Sequence, residues 1–290
     1  MYHDIRDFNQ TNFKSRMKLK SFLTTNQFKK QLGYIIKNYK VISTKDLINI
    51  NDNKDYAVLT FDDGLLDHYD VASILYDNNI TGTFLIPTLP IRDRVIIKSH
   101  KIQFILASVN EREVVNRIFK FMKSSEDEIK YLWNKFSVST WIDNWWSDEM
   151  IFVTNILRNH KDGKKIVDEL FKELVTENEI DFCESFYLNE KHLKDLVSAG
   201  MEIGGHGYSS EGLVNTNQEK EISESLKYVS KFYDDDLIFS YPNGSYDTKT
   251  LDLMKRYNCK FSYTTKKENI TKDTNYLEIP RYDGPQDLPL

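Results

Sequence analysis

The stretch "AVLTFDDG" (residues 57–64) is an apolar run that ends in two adjacent carboxylates and a glycine. An apolar run of this length, bounded by a turn signal, is typical of a buried strand. Successive side chains on a strand point to opposite faces, but a glycine at the strand end can turn the chain so that Asp62 and Asp63 reach one opening. Two carboxylates this close repel one another, which predicts a nearby cation or hydrogen-bond donor. A plain Asp-Gly turn is the alternative interpretation.

Other short runs of strand character recur along the chain and alternate with helical patterns. This alternation indicates βα units around a parallel sheet or barrel, in which active-site groups are expected at the carboxyl ends of the strands. The seven strand candidates are residues 40–43, 57–61, 82–86, 201–205, 237–242, 261–265 and 277–281.

The stretch from about 100 to 185 interrupts the alternation, because it carries helical patterns such as "EREVVNRIFKFMK" (111–123) and no convincing strand. We predict a single domain over residues 1–290 that contains a helical insertion over residues 100–185. Within the insertion, "TWIDNWWSD" (140–148) places two tryptophans four residues apart. Such aromatic side chains form the small core of an insertion more often than a lid that stacks on sugar rings, so we favour a core here.

The composition argues against several classes of function. The 39 basic and 44 acidic residues give a formal charge of 39 − 44 = −5 with the signs interspersed, so no basic stripe indicates a nucleic-acid partner. No apolar run approaches the ~20 residues that a membrane span needs, and "MYHDIRDFNQTNFKSR" (1–16) lacks the apolar core of a signal peptide. We therefore expect a cytoplasmic protein, in which Cys183 and Cys259 are buried free thiols rather than a disulfide.

Three motifs, in the same order along the chain, resemble those of the polysaccharide deacetylases, the NodB-homology group of carbohydrate esterase family 4. The first is "LTFDDGLLDHYDVASILYDNNITGTFLIP" (59–87), in which a strand end with "DDG" leads into a helix and a second strand. The stretch "LVSAGMEIGGHGYSSEGL" (196–213) is similar to the second motif of the family. The stretch "FSYPNGSYD" (239–247) is similar to the third motif in its "YPxG" version.

The resemblance covers about 57–90 and 187–283, including "LEIPR" (277–281), which is similar to the closing strand of the family. It implies a distorted (β/α)7 barrel of the NodB-homology type. It also implies amide hydrolysis in which a divalent metal, often zinc, polarises the carbonyl and lowers the pKa of the attacking water from about 15.7. Carried over residue by residue, the implied roles are general base for Asp62, metal ligand for Asp63 and His206, and pocket lining for Tyr241, Pro242, Asn243 and Gly244.

Two departures from the family pattern concern the metal and the base. The family usually has a second histidine ligand four residues after His206; this sequence has Ser210, whose hydroxyl is a poor zinc ligand beside imidazole or carboxylate. We assign Ser210 to the substrate-binding residues. The third motif usually opens with an arginine that pairs with the catalytic aspartate, and here that position is Ser240. Arg281 of "LEIPR" is our candidate for supplying that charge, with a surface ion pair as the alternative.

The third metal ligand and the general acid are open, because the histidine of the family's last motif is not recognisable. His100 follows the loop after the strand candidate at 82–86 and is our candidate for the third ligand, with a surface or capping role as the alternative. His100 or His192 would have to serve as general acid, and for His192 an exposed position on a helix is the favoured interpretation. We expect His68, one turn into the helix after "DDG", to face solvent.

The motifs and the resemblance together predict a hydrolase that removes an N-acetyl or formyl group from an amino sugar in glycan or cell-surface polysaccharide biosynthesis. Without an export signal, a cytosolic sugar nucleotide, lipid-linked sugar or glycan precursor is the expected substrate. One alternative is a metal-independent hydrolase of cyclic amides with the same fold, which the serine at Ser210 would suit. The other is a non-catalytic carbohydrate-binding relative, against which the joint retention of Asp62, Asp63 and His206 argues.

Overall fold

The computed structural model describes residues 1–7, 22–52, 54–138, 146–232 and 236–289. The chain divides into two compact units. We call them the sheet unit, made of the described residues up to Val95 and from Cys183 onward, and the helical unit, Ile96–Phe182. The insertion predicted over residues 100–185 overlaps the helical unit, and its status as part of a single domain stays a prediction. Trp141 and Trp145 of the predicted aromatic core lie outside the described residues.

The strands that the structure describes all belong to the sheet unit. In chain order they are β1 (Asp4–Ile5), β2 (Phe22–Leu23), β3 (Lys40–Val41), β4 (Tyr56–Ala57), β5 (Leu59–Asp62), β6 (Gly82–Ile86), β7 (Glu202–Gly205), β8 (Leu237–Ser240) and β9 (Cys259–Tyr263). The main sheet is parallel and runs in the order β5-β6-β7-β8-β9. Two small parallel pairs, β1 with β2 and β3 with β4, stand apart from it.

The helices that the structure describes are α1 (Thr25–Asn38), α2 (His68–Asp77), α3 (Thr88–Asp93), α4 (Lys98–Ser108), α5 (Glu111–Met122), α6 (Glu126–Phe136), α7 (Asp148–Asn159), α8 (Gly163–Leu174), α9 (Glu179–Phe186), α10 (Glu190–Ser198), α11 (Gln218–Val229), α12 (Thr248–Arg256) and α13 (Gly284–Asp287). Short 3-10 turns occur at Lys45–Asn49, Leu213–Asn215 and Pro242–Gly244. Helices α4 to α8 lie in the helical unit, where α9 also begins.

The main sheet brings the carboxyl ends of its strands to one edge. β5 pairs with β6 so that Asp62 lies opposite Leu85, and β6 pairs with β7 so that Ile86 lies opposite Gly205. Every residue of these three strands is buried. Parallel strands that are covered on both faces read as apolar runs rather than alternating ones, which is why the sequence showed them clearly. The predicted α/β fold with a parallel sheet is confirmed.

Single residues extend the main sheet at both of its edges. Tyr2 lies beside β5, where its N–H donates to the Thr60 carbonyl and its carbonyl accepts from the Asp62 N–H, at 2.9 Å each. Ile279 lies beside β9, where it pairs in parallel with Tyr263. The strand predicted over 277–281 is therefore a single bridge, whereas each of the other six strand candidates overlaps a described strand.

The helical unit has a core of its own. Trp133 stacks on the fully buried Phe152, with ring centroids 4.9 Å apart. Lys101 is buried too, and its Nζ lies 2.7 Å from an Asp168 oxygen and 2.9 Å from a Glu179 oxygen. A buried ammonium group needs such partners, because an unpaired charge is costly to remove from water. These contacts hold α4, α8 and the start of α9 together.

Two sequence expectations about the chain as a whole can be compared with the structure. Among the described helices, none combines the length and the apolar character that crossing a membrane requires. Cys183 and Cys259 are both buried and do not form a disulfide, as predicted. Burial raises the pKa of the Cys259 thiol to about 12, so this side chain behaves as a small apolar core residue.

Candidate active site

The centre of the candidate site is a buried ion pair between Asp62 and Arg281. Asp62 ends β5, and Arg281 comes two residues after Ile279, which pairs with β9. Arg281 Nη1 donates to Asp62 Oδ1 at 2.7 Å, and Nη2 donates to Oδ2 at 2.9 Å. Nη2 also donates to the Ser240 hydroxyl at 2.7 Å. The structure thus brings Arg281 to Asp62 in the interior, with Ser240 beside both, where the family usually has an arginine of the third motif.

This pairing keeps Asp62 ionised. Burial raises the pKa of the carboxyl, but the Arg281 guanidinium outweighs that effect and holds the pKa of Asp62 well below its usual range. Asp62 is 2% exposed and Arg281 6% exposed. A bidentate guanidinium–carboxylate pair in the interior has a fixed geometry, so the protein alone positions this carboxylate. A carboxylate with so low a pKa is also a weak base.

A left-handed turn directs Asp63 into the opening beside Asp62. Asp63 has a φ of 77° and Gly64 a φ of 61°, so two consecutive residues adopt a conformation that favours glycine. For Asp63 this conformation is strained, which is a frequent property of functional residues. The sequence predicted that Gly64 would turn the chain, and the structure shows that Asp63 turns with it.

His206 faces Asp63 from the end of β7. Its N–H donates to the Ile86 carbonyl at 2.8 Å, which anchors the residue to β6. Its Nδ1 donates to the Ser240 carbonyl at 3.1 Å, so Nε2 carries the lone pair. Nε2 lies 3.7 Å from Asp63 Oδ1. Burial lowers the pKa of His206, so the ring is neutral at pH 7 and the contact joins two electron donors rather than two ions.

Ser210 occupies the position of the missing histidine and faces the same carboxylate. Its hydroxyl donates to Asp63 Oδ1 at 3.4 Å, a long hydrogen bond, and its φ of 57° is left-handed. Glu221 holds the loop between His206 and Ser210, because it accepts from the N–H and the hydroxyl of Ser209 at 2.9 Å and 2.7 Å. The Ser210 hydroxyl is therefore held beside the candidate metal ligands by the loop rather than by a tight bond to them.

The donors in this opening fit a divalent metal with two good ligands. His206 has the arrangement of a ligating imidazole, in which one nitrogen donates to a carbonyl and the other is left for the metal. Asp63 supplies a carboxylate oxygen. Across the described ranges of the chain, no three or more histidine, cysteine, aspartate or glutamate side chains are arranged so that together they could hold a metal ion. His100 is buried in α4 of the helical unit, and its role as third ligand stays a prediction.

The third-motif turn follows β8 at the same edge of the sheet. The Tyr241 ring is fully buried and its hydroxyl donates to the Leu277 carbonyl at 2.8 Å, so this side chain belongs to the core. Pro242 is buried as well, whereas Asn243 is exposed and left-handed, with a φ of 55°. Asn243 and the half-buried Gly244 form the accessible part of the turn, and a substrate role for Tyr241 would have to use its backbone.

Sequence reasoning missed His3, which lies in the N-terminal segment beside β5. Its imidazole is close enough to Asp62 to help lower the pKa of that carboxyl, and it also interacts electrostatically with His206. Asp283 faces His3 as well: burial raises the pKa of the Asp283 carboxyl, and His3 opposes that rise. Asp283 Oδ1 is buried and has no hydrogen-bond partner in the described part of the chain. Sequence reasoning also missed Asp283.

The expectation that His68 faces solvent is wrong. His68 is the first residue of α2, and its side chain lies under the helix against β5 and β6. The ring is fully buried against Phe61 and Phe84, with a centroid distance of 5.8 Å to each. His192 is half-buried at the start of α10, where its Nδ1 accepts from the Asn189 N–H at 3.2 Å and completes a helix cap.

Comparisons with known proteins agree with the motifs. Residues 136–262 match the family model described as polysaccharide deacetylase. The structure is similar to the Streptococcus pyogenes deacetylase PplD in complex with acetate, with a TM-score of 0.55 and 17% identity over 98% of this chain and 89% of that one. It is similar to BC0361, a polysaccharide deacetylase from Bacillus cereus, with a TM-score of 0.54 and 17% identity over 98% of this chain and 63% of that one.

A de-N-acetylase from Aggregatibacter actinomycetemcomitans is similar too, with a TM-score of 0.52 and 12% identity over 97% of this chain and 91% of that one. No curated protein matches the sequence. At these identities the structural matches establish the fold, and the family-model match confirms the predicted resemblance. The match includes the second and third motif stretches and does not reach "LTFDDG" (59–64). The match to the family model agrees with the predicted reaction class, hydrolysis of a carbon–nitrogen bond.

Proposed function

We propose that this chain, a relative of the polysaccharide deacetylases, hydrolyses the N-acyl amide of an amino sugar with the help of a divalent metal. One observation carries the proposal: an ion-paired carboxylate and a separate carboxylate–imidazole pair converge at one edge of the sheet. Asp62 belongs to the first group, and Asp63 and His206 form the second. The first group is suited to accept a proton and the second to hold a Lewis acid, and amide hydrolysis uses both.

Asp62 accepts the proton of the attacking water in this proposal. The water oxygen bonds to the amide carbon, the carbonyl electron pair moves to its oxygen, and the C–N bond then breaks as the nitrogen takes up a proton. The products are a carboxylic acid and a free amine. Arg281 and Ser240 fix the orientation of Asp62 throughout. Because the low pKa of Asp62 makes it a weak base, the reaction favours a water of raised acidity, which supports the metal-dependent form over the metal-free alternative.

Asp63 Oδ1 and His206 Nε2 would hold the metal, with the Ser210 hydroxyl beside them. A divalent metal in such a site supplies polarisation of the amide carbonyl and a lowered water pKa. Zinc suits imidazole and carboxylate donors and is our proposal for the ion. The bond from His206 Nδ1 to the Ser240 carbonyl keeps the imidazole in the ligating tautomer.

His3 is our candidate for protonating the leaving amine. An amine leaves readily only when it is protonated, so C–N cleavage needs a donor near the base. His3 interacts electrostatically with Asp62, and the buried Oδ1 of Asp283 is available to accept from its imidazole and orient it. The sequence offered His100 or His192 for this role, but the His192 ring completes a helix cap instead.

Backbone contacts between the sheet edges support the predicted (β/α)7 barrel. Tyr2 lies beside β5 and Ile279 beside β9, which are the two outer strands of the main sheet. Five residues after Ile279, the Gly284 N–H donates to the Met1 carbonyl at 2.9 Å. We propose that the sheet closes through these two edge segments, as the NodB-homology type would require.

The substrate we propose is an N-acetylated amino sugar of a glycan or cell-surface polysaccharide precursor. Support for an acetyl group comes from the likeness to a deacetylase that was solved in complex with acetate. A formyl group would need the same machinery. The cytoplasmic location stays an expectation from the sequence.

The test is amine release from an N-acetylglucosamine pentamer by the purified protein, with its metal content measured before and after chelation. We expect close to one divalent ion per chain, loss of activity on chelation and recovery with Zn²⁺. Activity that survives both the chelator and Asp63→Asn would instead favour the metal-free hydrolase of cyclic amides. Binding of the sugar with no cleavage of any amide would favour the carbohydrate-binding alternative.

A further inference from the structure

His68 is a buried histidine that the proposed reaction does not use directly. Its Nε2 lies 2.8 Å from the His3 carbonyl oxygen. Since a carbonyl oxygen accepts and never donates, Nε2 carries the hydrogen and Nδ1 carries the lone pair. Burial lowers the pKa of His68 to about 4, which is consistent with this neutral form.

The ring of His68 otherwise packs against aromatic side chains, although the charges of Asp4 and Asp63 act on it from further away. Its ring packs against Phe61 and Phe84, which stack on each other with centroids 4.9 Å apart. Nδ1 is buried and finds no hydrogen-bond partner in the described part of the chain. A leucine or phenylalanine would fill such a place without desolvating two polar nitrogens. Among the hydrogen bonds that the structure describes, the one to the His3 carbonyl is therefore what a histidine makes at this position and an apolar side chain could not.

That hydrogen bond completes the anchoring of the segment that carries His3. The preceding residue, Tyr2, is fixed to β5 by two backbone hydrogen bonds to Thr60 and Asp62. The bond from His68 then fixes the carbonyl of His3 itself, which restricts the backbone on the C-terminal side of its Cα. Holding the backbone on both sides fixes the place of the His3 Cα and the bond from which its side chain starts, before substrate arrives.

We propose that His68 is a positioning residue, which holds the main chain at His3 so that the His3 imidazole meets the leaving amine. This inference rests on the proposed function, in particular on His3 as the general acid. Asp62 ends β5 and His68 starts α2, the helix that follows. The proposed base and the residue that positions the proposed acid therefore lie at the two ends of one short loop.

The experiment compares His68→Leu with His68→Gln in the metal-loaded protein, on two probes. The first probe is an N-acetylglucosamine pentamer, whose amine must be protonated to leave. The second is 4-nitrophenyl acetate, whose phenolate leaves without a proton. Glutamine places an amide N–H near the position of Nε2 and leucine does not. We expect His68→Leu to lower kcat on the pentamer about 10- to 100-fold at unchanged KM, and to leave the ester within about twofold of the parent.

Two further measurements distinguish the positioning role of His68 from a general loss of activity: rescue by glutamine, and the combined effect with His3→Ala. His68→Gln is expected to recover most of the pentamer activity, and His68→Leu is expected to cost nothing further in a His3→Ala background, whose own loss is about 10²- to 10⁴-fold. Phe84→Leu is the matched control, because it disturbs the same aromatic cluster without touching the hydrogen bond. It is expected to lower the melting temperature and to leave the ratio of pentamer to ester activity unchanged.

Equal losses on the two probes in His68→Leu, or losses that add in full to those of His3→Ala, would overturn the inference. If His68→Leu does not fold, His68→Asn takes its place, since its shorter amide does not reach the His3 carbonyl and matches glutamine in polarity. A different result would show that the proposed function itself is wrong: Asp62→Asn would leave pentamer cleavage intact. If only the positioning role is wrong, Asp62→Asn still lowers pentamer cleavage.

Discussion

The two halves of the candidate site differ in how far the protein completes them. The base half, Asp62 with Arg281 and Ser240, is joined by hydrogen bonds of 2.7 to 2.9 Å from the guanidinium and is buried. The proposed metal half, Asp63 with His206, is joined by a contact of 3.7 Å between two electron donors. The difference teaches that the chain alone determines the geometry of the proposed base, whereas the contact between the two proposed ligands does not by itself fix their geometry.

The contrast also separates stability from activity. Breaking a buried ion pair leaves an uncompensated charge in the interior, so the base half contributes to folding as well as to catalysis. The contact between the two donors of the proposed metal half adds little to folding, so we expect a smaller loss of stability from substitutions there. Substitutions in the two halves therefore have different expected signatures.

The largest effect is expected from Asp62→Asn, which keeps the shape of the base and removes its ability to take a proton. We expect amine release from the N-acetylglucosamine pentamer to fall about 10³- to 10⁴-fold, with metal content unchanged. The matched control is Asp70→Asn, an exposed carboxylate on the next helix, with activity equal to the parent. A loss below tenfold in Asp62→Asn would remove this residue from the role of base.

Arg281→Met tests the base half as a structural element. Removing the guanidinium leaves the Asp62 carboxylate buried without its cation, and we expect a loss of about 3–5 kcal/mol in the free energy of unfolding. Asp63→Asn in the metal half is expected to change that free energy by less than about 1 kcal/mol, measured by urea denaturation of the metal-free protein. Equal destabilisation by the two substitutions would abolish the distinction between the halves.

The two halves can be compared only at pH values at which the protein stays folded. Protonation of His68 determines part of this lower pH limit. Burial dominates and lowers the pKa of His68 to about 4, below the usual 6.5 of the unfolded chain; the hydrogen bond to the His3 backbone and the charges of Asp4 and Asp63 oppose this shift, and the charge of His3 adds to it. The unfolded state therefore binds more protons between these values, and stability is lost as pH falls through that window. The free energy of unfolding falls by about 3 kcal/mol across this window, because the two pKa values differ by about 2.5.

We expect the free energy of unfolding of His68→Leu to fall less than that of the parent between pH 7 and pH 4.5, in urea denaturation series at each pH. The comparison is made within each protein, so any overall change in stability from the substitution cancels. Parallel decreases in parent and variant would show that His68 is not buried in its neutral form.

The smallest expected effect comes from completing the metal half. Ser210 is left-handed, a conformation that histidine tolerates better than most residues, and its hydroxyl already faces Asp63. Ser210→His is expected to tighten zinc binding about 10- to 100-fold in competition with a chelator. Ser210→Ala, with affinity close to the parent, is the control. A Ser210→His protein that binds zinc no better than the parent would mean that Ser210 lies outside the coordination sphere.

Much of the sheet could be predicted from the sequence, because strands buried on both faces appear as apolar runs. β5, β6 and β7 lie within or beside the predicted stretches, and their polar successors meet as the parallel topology requires. β1 and β2 were missed because two residues of strand leave no periodicity to detect. The convergence of Asp62, Asp63 and His206 followed from the motifs, and Arg281 from its place at the closing strand.

The acid side of the site could not be predicted in the same way. His3 lies in a polar N-terminal stretch, where the signal available was the short alternation "YHDI" (2–5), too brief to establish a strand. Asp283 follows Arg281 by two residues and has no motif of its own. His68 was misplaced because its inward position is set by tertiary contacts with Phe61 and Phe84, which a polar residue type at the start of a helix does not indicate.

The contact between the edge segments has a consequence for the order in which the molecule folds. The Met1 amino group donates to the Tyr282 carbonyl at 2.8 Å, across 281 positions of the chain. Contacts of such sequence separation carry the largest loop-closure entropy and form slowly unless intervening structure has already brought the ends together. The proposed proton donor His3, its neighbour Asp283 and Arg281, the partner of Asp62, depend on this closure, whereas Asp63 and His206 are positioned by neighbouring strands of the main sheet. In a refolding time course, catalytic competence should therefore lag behind the recovery of helical signal.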